Sequence, residues 1–127
     1  MKLDDFEFSD CNVKRTLIGD KVVSIILSSA YYIPDSIFID NIILSIKNWS
    51  DFSAYMYISQ SPFSVSEEKK LANDDFDFFD LIQEKEINSN EIILKGFGKN
   101  SGQWIKYIFK DCQYDISINN KNVMKEE

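Results

Sequence analysis

Apolar residues recur at every second position along most of this chain. Over residues 37–47, Ile42, Leu44 and Ile46 fall on one side; in the next run Phe52, Ala54, Met56 and Ile58 form an inner face and leave Tyr55 and Tyr57 on the other. A period of two sends successive side chains to opposite faces of a strand. Residues 22–32 are apolar on both faces, as a central strand requires, and further runs cover 92–97, 104–110 and 114–118. Turn-forming residues separate them: Gly19 and Asp20, Pro34 and Asp35, the stretch 48–51, Asn88 to Asn90, and the loop 98–102. This is the rhythm of an antiparallel sheet. Phe6 and Phe8 share one face while Cys11 and Val13 share the other, which predicts a bulge near Ser9 and Asp10.

Helical patterning is confined to residues 64–82. Ser64 and Glu67 have the spacing of a capping box, and 68–72 has helix-forming composition closed by Asn73, which predicts one or two turns. Residues 74–86 fit two templates: Asp75 to Phe78 alternate, whereas Phe78, Phe79, Leu81 and Ile82 make a helical stripe, and the expectation is a loop or short helix. The chain therefore reads as mainly β: an antiparallel β-sandwich or strongly curved sheet of about seven strands with one or two short helices. One domain is expected over 1–118, with a flexible polar tail over 119–127.

A chain of 127 residues with 44% hydrophobic and 14% aromatic residues can bury a genuine core. Its 21 acids against 14 bases give a net charge of −7, which repels nucleic-acid phosphates and anionic membranes and favours a basic protein partner. The start carries acids where a secretion signal needs a basic end and an apolar run, so a cytoplasmic location is expected. In that compartment Cys11 and Cys112, the two cysteines, read as free buried thiols.

Histidine is absent, which removes the commonest general base and the usual nitrogen ligand for zinc. No enzyme activity, metal or cofactor is expected. Gly96, Gly98, Lys99 and Gly102 do not have the spacing of a phosphate-binding loop and precede a strand, so they read as a hairpin loop. Asp74, Asp75, Asp77 and Asp80 read as a solvated acidic face, in preference to a calcium site or a glycosidase pair. Lys95, Lys99, Lys106 and Lys110 read as outward strand residues that discourage sheet-edge pairing, in preference to a nucleic-acid surface.

What stands out is the packing of eight carboxylates between Glu67 and Glu86 around Phe76, Phe78 and Phe79. Ionised groups are too costly to bury unpaired, so such a segment presents charge beside apolar rings, as a docking face does. Tyrosine and tryptophan, favoured where a surface grips a partner, exceed what a core demands: Tyr31, Tyr32, Trp49, Tyr55, Tyr57, Trp104, Tyr107 and Tyr114. The candidate partner-binding residues are Asp74, Asp75, Asp77, Phe78, Asp80, Glu84, Tyr55 and Tyr57.

In outline the chain resembles the small acidic immunity proteins of bacterial polymorphic and contact-dependent toxin systems. The likeness is one of type and spans residues 4–118: short, acidic, rich in isoleucine and asparagine, without a catalytic signature, and ending in a strand pair over 94–98 and 101–109. It implies a non-catalytic inhibitor that binds a cognate toxin domain and occludes its active site, often with acids that mimic a nuclease's phosphate substrate. Two other readings stay open: a carbohydrate-binding β-sandwich that stacks sugars on Trp49, Tyr55, Tyr57 and Trp104, and a structural subunit of a larger assembly.

Overall fold

The computed structural model describes residues 2–58, 67–72 and 76–118. A single 3-10 turn, Leu3–Asp5, leads into β1 (Phe6–Glu7), β2 (Cys11–Gly19), β3 (Val22–Tyr32), β4 (Ile37–Lys47) and β5 (Asp51–Ile58). There follow β6 (Glu67–Lys70), β7 (Phe79–Asn88), β8 (Glu91–Gly98), β9 (Trp104–Lys110) and β10 (Gln113–Ile118). The ten strands among the described residues form one hydrogen-bonded sheet in the order β10-β4-β3-β2-β7-β8-β9-β5-β6, with β1 pairing beside the far end of β3. All of these pairings are antiparallel.

The mainly β, antiparallel expectation holds, and β3 and β9 begin and end where the apolar runs do. The expected count of about seven strands is too low, for reasons that differ from strand to strand. Residues 67–70 form an edge strand rather than a helix: Tyr55 pairs with Lys70 and Tyr57 with Glu68. Helix propensity differs among ordinary residues by only some tenths of a kcal/mol, and the free edge of β5 offers this backbone a ready hydrogen-bonding partner. Ser64 and Asn73, the expected limits of that helix, lie outside the described residues, as does the expected tail over 119–127.

β7 is likewise a strand rather than a loop or helix. Its pairing with β8 shifts register between Phe79 and Leu81 and again between Ile82 and Glu84. Each bulge inserts a residue and resets the alternation, so the buried residues Phe79 and Ile82 stand three apart, a helical spacing produced by a strand. Near Ser9 and Asp10 the chain makes a turn instead of a bulge. The Cys11 amide donates to the Phe8 carbonyl at 3.0 Å, and Asp10 adopts φ 56°. The bulge on this edge comes later, between Val13 and Arg15.

β2 joins two sets of strands. It runs beside β3 from Val13 to Gly19 but pairs with β7 through Cys11 with Ile82 and Asn12 with Leu81. A single hydrophobic cluster nevertheless takes Ile25, Leu27, Ile42, Leu44 and Ile46 from one side of that junction, and Ala54, Ile82, Leu94, Ile105, Tyr107 and Phe109 from the other.

On the inner face of β2 the Thr16 hydroxyl is buried and meets no hydrogen-bond partner among the described residues. Leaving a hydroxyl unmet costs about 1–3 kcal/mol. Thr16→Val keeps the shape and removes the unmet group, so it should raise the unfolding free energy by about 1 kcal/mol in a urea titration. A fall in stability would show that the hydroxyl is satisfied.

Candidate binding face on the outer side of the sheet

Strand register assembles the site. On the face of β7, β8, β9, β5 and β6 that points away from the cluster, residues line up in rows across the strands. One row reads Glu84, Lys95, Lys106, Tyr55, Lys70, and the next reads Leu81, Phe97, Trp104, Tyr57, Glu68. Directly opposed residues stand about 5 Å apart at Cβ and behave as one surface. Phe97 and Trp104 meet edge to face with centroids 5.1 Å apart, and Phe97 is 39% exposed. Together with Tyr57, Gln103, Gly102, Lys95 and Lys106 they line an open groove of about 510 Å³.

Two ammonium groups lie along this groove. Lys106 Nζ sits 5.4 Å from the ring centroids of both Tyr55 and Tyr57, within reach of a cation–π attraction. Contact with Tyr57 is the main influence holding its pKa above the usual lysine value; partial burial opposes this, and the tyrosines and Glu68 add to it. Lys106 is thus a fixed positive charge at neutral pH. Lys95 Nζ reaches Glu84 Oε1 and Glu86 Oε1 at 3.9 Å each. Both carboxylates are about half exposed, and ion pairs of that kind contribute less than about 1 kcal/mol.

No protein-family model, no curated protein and no solved structure matches this chain.

Of the residues expected to bind a partner, the face gathers Tyr55, Tyr57 and Glu84. Asp80 is exposed at the first bulge of β7. Phe78 is half-buried against Phe76 with centroids 5.4 Å apart, and its carbonyl accepts from the Lys99 amide at 2.7 Å. Asp74 and Asp75 lie outside the described residues.

Asp77 has a different role from the surface acid expected. It is 2% exposed, and its carboxylate accepts the Asn100 amide at 3.0 Å, the Ser101 amide at 3.1 Å and the Ser101 hydroxyl at 2.5 Å. Burial pushes its pKa up, but the Ser101 hydroxyl and the amides of Asn100, Ser101 and Phe78 outweigh that and hold it below the ordinary carboxylate value. The Asp77 carbonyl accepts from the Tyr107 hydroxyl at 2.5 Å. Asp77 therefore ties the loop between β8 and β9, and with it the Gly102–Gln103 end of the groove, to the aromatic core.

Half of the apparent surplus of aromatic residues belongs to the core: Tyr107 is buried, and Tyr32, Trp49 and Tyr114 pack against the cluster. Tyr107 is fully buried against Phe52, Phe76, Phe79 and Phe109, and burial raises its pKa well above the usual tyrosine value. Trp49 packs on Phe52 and Phe109 at the core's edge, whereas Tyr55, Tyr57 and Trp104 share the outer face.

The lysines are also placed differently from the expectation. β8 and β9 are interior strands, so Lys95 and Lys106 guard no edge. A separate apolar spot lies by the β3–β4 turn, where Phe38 is 71% exposed and meets Tyr31 edge to face.

Neither thiol is poised for chemistry. Burial first, then Asp10 and Glu7, push the Cys11 thiol up to about 11; Cys112 is only half-buried, and burial raises it too. Among the described residues no group of three or more Cys, Asp or Glu side chains is placed to hold a metal, and no helix is long and apolar enough to cross a membrane.

Proposed function

We propose that this chain is a non-catalytic, protein-binding inhibitor of the immunity-protein type, acting in the cytoplasm on a cognate toxin domain through the outer face of β8, β9 and β5. The observation that carries the reading is the row Phe97, Trp104, Tyr57: aromatic side chains brought together on a face pointing away from the core, bordered by Glu68, Glu84 and Glu86. Aromatic anchors inside a charged rim are the anatomy of a protein interface. The shared cluster on either side of the β2 junction supports the finer view of the architecture, a sheet that curves over its own inner face in the manner of a sandwich.

The test is co-expression with any toxin domain found encoded beside this gene, scored by growth. Wild type should rescue. Trp104→Ala should weaken binding by roughly 30-fold, the equivalent of about 2 kcal/mol, and reduce rescue while the fold is retained by circular dichroism. Phe38→Ser, remote from the face, should rescue fully. The opposite pattern would move the docking surface to the β3–β4 turn, and absence of rescue by wild type would overturn the inhibitor reading.

A further inference from the structure

Lys95 and Lys106 stand directly opposite each other on adjacent strands and on the same face. Like charges in that relation destabilise a sheet. The arrangement is more pointed in a chain with 14 basic against 21 acidic residues, where an opposed acid was the commoner choice. The relief each lysine finds is separate and partial: Lys106 rests against Tyr57 and Tyr55 with Glu68 near. Lys95 meets its two glutamates at 3.9 Å, at the outer range of an ion pair, and Lys106 makes no ion pair with a described residue. Both lysines line the groove whose other walls include Trp104, Phe97 and Tyr57, with the Lys95 ammonium toward β7 and the Lys106 ammonium toward β5.

A pair of cations held beside aromatic rings is the complement of a group that is anionic at one end and flat and apolar next to it. The two lysines supply charge-assisted donors, and the rings supply contact area at low entropy cost. We propose that this groove is a carboxylate-binding subsite, which takes an acidic side chain of the protein partner between Lys95 and Lys106 and the apolar residue beside it against Trp104 and Phe97.

The proposal rests on the outer face being the docking face, and it reverses the expected sign of the contact. The net charge of −7 favours a basic partner overall, while the centre of the face calls for an acid. Glu68, Glu84 and Glu86 at the border would then reject a uniformly acidic surface and select one in which an acid is surrounded by bases.

The probes are phenylacetate, its neutral isostere phenylacetamide, and the cation phenethylamine, each titrated into the full chain and followed by amide and indole NMR shifts. Phenylacetate should move the signals of Lys95, Phe97, Trp104 and Lys106, half-saturating at a concentration at least tenfold below that of the amide, and rising salt should close the gap. Lys95→Gln/Lys106→Gln should abolish the preference while the fold is retained by circular dichroism. Equal binding of acid and amide, stronger binding of the cation, or shifts elsewhere on the surface would overturn the proposal. The growth assay keeps the two ideas separate. Loss of rescue in Trp104→Ala without any anion preference removes the subsite and leaves the docking face; anion preference without rescue leaves the subsite and removes the inhibitor.

Discussion

Gly96→Ala should be the most damaging single substitution in the molecule, costing about 4 kcal/mol or more and leaving little folded protein at 37 °C. Gly96 faces Ile82 between the two bulges of β7. A Cβ there would overlap the Leu81 carbonyl oxygen and come within 2.9 Å of the Ile82 Cα. Those atoms are backbone, so no side chain can turn aside. The whole of β7 must retreat, and with it Ile82 and Leu81, which make the only pairings between β7 and β2. Urea denaturation measures the cost. A loss below about 1 kcal/mol would mean that the bulged strand yields and that the close approach is incidental.

Asp77→Ala should cost about 3 kcal/mol, or roughly 10 °C in Tm, because it leaves the Asn100 and Ser101 amides and the Ser101 hydroxyl without their acceptor in a buried site. Asp77→Asn should recover only part of this, since its amide nitrogen would face donors. A pH signature separates the carboxylate's role from mere packing. Because the folded pKa lies below the ordinary value, the stability Asp77 contributes is complete above about pH 4 and is lost as pH falls through the folded pKa. Wild type should therefore lose stability in that acid window more steeply than Asp77→Ala. Parallel curves would show that the charge is not what holds the loop. Gly98 belongs to the same fastening: a Cβ there would strike the Asp77 carboxylate and stand 2.7 Å from the Ser101 hydroxyl.

Period-two alternation revealed β4, β8 and β9 because those strands keep one phase where they bury one face, while β3 showed itself as a run apolar on both faces. Alternation could not reveal β7, where one inserted residue places Phe79 and Ile82 three apart, nor β6, whose four charged residues are all exposed and carry no burial pattern at all. The site was partly legible for a related reason. Tyr55 and Tyr57 were visible as the outward side of β5, yet their neighbours Lys106, Lys95, Trp104 and Phe97 come from another hairpin, and only cross-strand register brings them together. Part of that register follows from the hairpin itself: a loop closed so that Phe97 opposes Trp104 sets Lys95 opposite Lys106. Asp77 was misjudged because a sequence shows the acceptor and hides its donors, which lie 23 and 24 residues further on.

The seam between β2 and β7 gives the molecule an uneven mechanical character. Two residue pairs lace the halves of the sheet there, whereas ten join β3 to β4. A load drawn across the sheet would concentrate on Cys11, Asn12, Leu81 and Ile82, so cohesion between the halves depends on the shared cluster of apolar side chains behind them.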